Sequence, residues 1–206
     1  MSSSESFAVL LDGGFVIKKL SQTLGRFPTA EDIENQCATM QQHPALAGMR
    51  LLRIYFYDAL PATGQLVNPL DKSSTDLSKT TVFKRHESLL DTLELKPNFA
   101  LRAGETVVRS WKIGDSAYKS MIKNQRVLQA KDLVPNITQK GVDLRIGLDI
   151  ARLSLRQLVS TIVVVTGDSD LIPAFKFARR EGLRIVLDAM GHSIRRDLKA
   201  HADITI

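Results

Sequence analysis

The chain has 206 residues, 44% of them apolar and 24% charged, the balance of a soluble globular protein able to bury its own core. A lone cysteine, Cys37, excludes a disulfide scaffold, and no apolar run approaches the roughly 20 residues that span a bilayer. The net charge of +6 is uneven: residues 79–145 carry 13 basic against 7 acidic side chains, and residues 1–78 carry 6 against 8. A basic middle stretch reads either as a solvated surface or as a face for polyanions, since clustered Lys and Arg displace counterions from phosphates.

In chain order, Met1-Ser-Ser-Ser-Glu-Ser shows no basic or apolar leader pattern, so a cytoplasmic protein is expected. Phe7 to Asp12 has the look of a buried parallel strand closed by Gly13-Gly14. The apolar spacing predicts a helix over 15–24, and the capping-box form of Thr29 to Asp32 predicts a second helix towards His43. Met49 to Tyr57 reads as a strand ending at Asp58. Residues 59–78 are polar, with Pro61, Gly64 and Pro69, and predict a long loop. A helix is expected over 79–95. Residues 98–111 read as a strand or as a hairpin turning at Ala103-Gly104, and 112–139 as a basic, partly helical stretch.

The last third is more regular. A helix opens at Gly141-Val-Asp143 and runs to about 158, a buried strand covers 161–166, Gly167 to Asp170 turn, and a helix covers 171–181. Strand 183–187, a short helix 194–200 and a strand 204–206 close the chain. Strands alternating with helices predict a three-layer α/β/α sandwich with a mainly parallel sheet. With no dividing linker, residues 1–206 are read as one domain.

In open parallel sheets, ligands bind at the carboxyl ends of strands. Acids cluster there in this sequence: Asp12 after the first strand, Asp58 after the second, and Asp168 and Asp170 after strand 161–166, with Asp143 opening the preceding helix. Taken singly, Asp143, Asp168 and Asp170 also suit helix caps or first turns. Together they suit an oxygen-only site for Mg²⁺ or Mn²⁺, because like charges on one edge call for a cation. His43, His86, His192 and His201 show no zinc spacing, and no G-x-G-x-x-G fingerprint is present.

Asp12 after a hydrophobic strand, Lys140-Gly-Val-Asp143, Asp149, Thr166-Gly-Asp-Ser-Asp170, Pro173, Gly182 and Leu198-Lys-Ala-His-Ala-Asp203 resemble the NYN domain. More narrowly they resemble its LabA-like branch, related to PIN-domain nucleases. The resemblance runs over nearly the whole chain and is densest over 140–188. One departure is Phe15, where the family often has Asn. A Toprim domain would need Glu in place of Asp12, and a haloacid-dehalogenase-like phosphatase a second Asp two residues beyond it, where Gly14 stands.

The resemblance implies a PIN-like fold and metal-dependent hydrolysis of RNA. Asp12, Asp143 and Asp168 would be the catalytic Mg²⁺ or Mn²⁺ ligands, with Asp170 binding a second ion directly or through water. Asp149 lies about 240° around the helix from Asp143, so it is expected behind the ligands or as a partner of Lys140 or an arginine. Lys140 is read as a phosphate clamp or a solvated lysine, and Thr166 and Ser169 as groups that orient carboxylates or water. Spacings of three and four place Lys119, Lys123 and Arg126 on one helical face as RNA contacts, with Trp111 and Tyr118 as stacking residues. The alternative is a catalytically silent module on the same fold that binds RNA or protein, and a homo-oligomer or protein partner is compatible with either.

Overall fold

In the computed structural model residues 5–206 are described; the reading of Met1 to Ser4 lies outside the described residues. The apolar run after Glu5 forms β1 (Ser6–Asp12), followed by α1 (Gly13–Leu24), α2 (Ala30–Gln41) and β2 (Arg50–Ala59). Then come β3 (Gln65–Val67), β4 (Ser74–Asp76), α3 (Thr81–Glu94), β5 (Phe99–Ile113), α4 (Asp115–Asn124) and β6 (Leu133–Lys140). The last third holds α5 (Val142–Leu155), β7 (Thr161–Val165), α6 (Ile172–Arg180), β8 (Arg184–Asp188), α7 (Arg196–Ala200) and β9 (Ile204–Thr205). The main sheet has the order β6-β5-β2-β1-β7-β8-β9. β1 lies parallel between β2 and β7, and β7, β8 and β9 continue in parallel. This is the expected three-layer α/β/α fold with a mainly parallel sheet.

The backbone packs as two compact units: residues Met1–Asp58, Leu89–Gly104 and Gly141–Ile206 form the first, and Ala59–Ser88 with Glu105–Lys140 form the second. In the first unit, strand alternation sends side chains to two cores. Phe7, Val9, Leu11, Ile54, Phe56, Val163, Val165 and Val186 share a cluster with residues of α1, α2 and α3, including Val16, Ile33 and Leu90. The intervening residues, such as Leu10, Ile162, Val164 and Leu187, are buried on the opposite face, as are Ile146 and Ile150 of α5 and Phe175 of α6.

The second unit differs from the sequence reading. Stretch 59–78 contains the antiparallel pair β3 and β4. Of the two readings of 98–111 the single strand holds: β5 continues through Ala103-Gly104, and Gly104 is not among the residues with positive φ. Stretch 112–139 is partly helical as expected, through α4, but also holds most of a strand, β6, antiparallel to β5 with Pro135 opposite Trp111. Proline inside an apolar-polar run argues against a central strand, but β6 ends the strand order, where a missing N–H is tolerated. Asn68, buried in this unit, donates to the Ala130 carbonyl and accepts from the Leu70 N–H.

Candidate active site

The site is built where β1 and β7, neighbouring parallel strands, end together, with Leu11 paired to Val165. Asp12 is both the last residue of β1 and the N-cap of α1, accepting the Phe15 N–H at 3.2 Å. Its other carboxylate oxygen accepts the hydroxyl of Thr166 at 3.0 Å. Thr166, fully buried beyond β7, accepts in turn the N–H of Asp168 at 3.0 Å. Asp168 then accepts the N–H of Asp170 at 2.9 Å and starts the turn into α6. Asp12, Thr166, Asp168 and Asp170 therefore form one hydrogen-bonded chain along the carboxyl edge.

Asp143 joins this chain electrostatically. It stands in the first turn of α5 but is not its cap, a position taken by Gly141. Burial pushes the Asp12 carboxyl above its ordinary range, and the charges of Asp143 and Asp168 push it further, against the lowering effect of its two hydrogen bonds. Asp143 reaches solvent, yet its carboxyl is also raised, first by desolvation and then by Asp168 and Asp170. Asp12 thus stands in the field of Asp143 and Asp168, and Asp143 in that of Asp168 and Asp170.

The donor set is oxygen-only and anionic, which fits a hard divalent cation such as Mg²⁺ or Mn²⁺. As the side chains stand, no three His, Cys, Asp or Glu residues among those described are grouped tightly enough to hold an ion. Asp12 and Asp168 are instead turned towards the backbone N–H groups they cap. The cap role and the ligand role thus fall on the same carboxylates.

Other expected residues separate. Asp149 accepts from the Tyr57 hydroxyl and from Arg102 Nε, each at 3.0 Å, so its partner is an arginine rather than Lys140. Burial, reinforced by Asp149, holds the Tyr57 phenol protonated well above its usual range. Arg102 also lies over the Tyr55 ring at 5.2 Å. Asp58 is buried and shares the strand parity of Ile54 and Phe56, the face opposite Asp12, so it does not join the acid edge. Lys140 is the exposed last residue of β6.

The basic trio is corrected. α4 ends at Asn124 because Gln125 turns into the left-handed region at φ 47°, so Arg126 leaves the helical face of Lys119 and Lys123. Arg126 instead grips Asp132 with both terminal nitrogens at 2.6 and 2.8 Å. Lys119, Lys123 and Tyr118 remain exposed, whereas the Trp111 indole N–H donates to the Val67 carbonyl at 2.9 Å.

Two contacts of the edge were not read from sequence, although Phe15 itself was noted there. Arg195 Nη1 reaches the hydroxyl of Ser169 at 3.5 Å while pairing with Asp197 at 2.8 Å, bringing a cation beside the acidic turn. Its signal was the Arg195-Arg196 pair, read only as part of a short helix. The ring of Phe15 packs on Gly167: a Cβ there would stand 2.7 Å from the ring, so a larger residue must push the ring aside. Lys19 sits 5.4 Å from the centre of the same ring.

A mostly parallel α/β/α sheet with aspartates gathered where β1 and β7 end has the architecture of a PIN-like domain. Residues 89–206, more than half of the chain, match the NYN domain, and the chain belongs to that family. Asp143, Asp149, Asp168 and Asp170 fall inside the matched stretch; Asp12 precedes it. The chain also resembles the crystal structure of a protein of unknown function from Vibrio parahaemolyticus, at 14% identity and a TM-score of 0.55, over 100% of this chain and 94% of that one. That likeness concerns the fold alone. No curated protein matches the chain.

Proposed function

We propose that the protein is a metal-dependent endoribonuclease of the LabA-like branch of its family, a reading supported by the Lys140-Gly-Val-Asp143, Thr166-Gly-Asp-Ser-Asp170 and Leu198 to Asp203 motifs. The observation that carries the reading is the hydrogen-bonded chain from Asp12 through Thr166 to Asp168 and Asp170, with Asp143 coupled to it by charge. Asp12, Asp143 and Asp168 would hold Mg²⁺ or Mn²⁺, with Asp170 at the edge of the group. Such an ion supplies an activated water and charge stabilisation for a phosphodiester.

The protein's own side chains do the rest. Thr166 fixes the rotamer of Asp12 and the turn of Asp168 with one hydroxyl. Arg195, beside Ser169, offers a guanidinium to an incoming phosphate. Asp149, neutralised by Arg102, holds α5 to β2 through Tyr57 without adding charge to the edge. Exposed Lys119 and Lys123 would contact RNA phosphates without reading bases.

One observation favours the silent-module alternative: Asp12 and Asp168 already serve as caps. The deciding experiment incubates labelled single-stranded and structured RNA with purified protein in Mn²⁺, Mg²⁺ or EDTA, beside Asp168→Asn. Cleavage that needs the ion and is lost in the variant is expected. Cleavage equal in EDTA, or equal in the variant, would remove the proposal, and RNA binding without cleavage would establish the silent module.

A further inference from the structure

α5 is amphipathic in an unusual sense, because its outer face carries leucines. Ile146, Ile150 and Leu153 are buried, as the inner face of a helix on a sheet requires. On the other side Leu144, Leu148 and Leu155 are 66%, 60% and 64% exposed. With half-buried Ala151 they follow spacings of four, three and four. At 100° per residue they fall within about 60° of one another. A stripe this narrow, with spacings of four, three and four, has the pattern of a helix–helix seam. A membrane-binding face would be a broad apolar surface.

The borders of the seam say what covers it. Arg152 and Arg156, both exposed, and half-buried Arg145 lie along one flank. The other flank turns to α6, where Gly147 packs against Ala174, and α6 exposes Lys176, Arg179 and Arg180. Two copies of α5 packed antiparallel about a two-fold axis would set arginine flank against arginine flank. Packed parallel, they would set arginines against Gly147 and Ser154, a flank whose one acid, exposed Asp143, stands in the first turn beside the acid edge. Like charges facing each other disfavour self-pairing, since flanking charges set partner choice in such contacts.

We propose that this face of α5 docks a helix of another protein that presents a leucine-type seam bordered by Glu or Asp. The surface is separate from the acid edge: Leu144, Leu148 and Leu155 form no part of it. A three-turn seam makes a reversible contact. Each leucine removed should cost roughly 10-fold or more in affinity.

The test uses the full chain and two synthetic 18-residue helical peptides with the same leucine seam, one flanked by Glu and one by Lys. Fluorescence anisotropy should show binding of the Glu peptide and at least 10-fold weaker binding of the Lys peptide. Leu144→Gln/Leu148→Gln/Leu155→Gln should abolish binding with an unchanged circular dichroism spectrum, and Arg152→Glu/Arg156→Glu should reverse the preference. Failure of the wild type to bind the Glu peptide would overturn the proposal. So would leucine-dependent dimerisation of the protein alone in analytical ultracentrifugation, or leucine-dependent binding to vesicles of anionic lipid in place of the peptide.

Discussion

Two buried or half-buried acidic regions of the molecule are handled in opposite ways. In the second unit Asp132, 4% exposed, accepts both terminal nitrogens of Arg126 and the N–H of Gln129, and Arg126 above all holds its carboxyl down at about 2. In the first unit Asp12 is partly buried beside Asp143 and Asp168, and its carboxyl is pushed up. The contrast is local rather than a property of either unit, because Asp149 and Asp203 of the first unit are matched by Arg102 and Arg179. Asp132, Asp149 and Asp203 are each given an arginine, whereas buried Asp188 at the end of β8 is raised by burial and accepts the Met190 N–H instead. The carboxylates at the ends of β1 and β7 stand near one another without such a partner, an arrangement whose repulsion the proposed cation would relieve.

The variants that sharpen this contrast most are Asp168→Asn and Asp143→Asn. Each should lower metal-stimulated RNA cleavage by on the order of 100-fold or more, with circular dichroism unchanged. Arg126→Ala attacks the other side of the comparison. It leaves Asp132 without its guanidinium and should lower Tm by several degrees in differential scanning calorimetry, without changing metal affinity.

A smaller effect is expected from Gly167→Ala. The new Cβ must displace the Phe15 ring, costing about 1–2 kcal/mol in a denaturant melt. The smallest effect is a gain. Asp143→Asn relieves part of the repulsion and should raise the metal-free Tm by about 1–2 °C at neutral pH. Because the folded carboxyl is raised, wild-type stability falls as pH climbs from the ordinary carboxylate value through the raised one. The advantage of the variant should therefore vanish below that window and be full above it, which melts at several pH values would show.

The strands of the first unit were legible because β1, β7 and β8 are short apolar runs between turn residues, and parallel sheets need such runs. The acid edge followed from Asp residues standing just past two of those strands. Strand β6 was not legible because Pro135 masks a position that only its edge location makes acceptable. Arg126 was misplaced because the left-handed Gln125 ends α4 early, in a residue type with no strong preference for that conformation. Asp58 also ends a strand and was read as a second-tier acid of the edge, but which face a strand-end residue takes is fixed by register. The pairing of Asp149 with Arg102 spans 47 residues and exists only once the sheet has formed.

The central claim is that the mismatched carboxylates are a cation site, and Mn²⁺ binding tests it most directly. Electron paramagnetic resonance titration of free Mn²⁺ against the purified protein should show uptake by the wild type. Asp12→Asn and Asp143→Asn should each weaken it by roughly 10-fold or more, and Asp149→Asn should change it little. Equal uptake by wild type, Asp12→Asn and Asp143→Asn, or no uptake at all, would contradict the account.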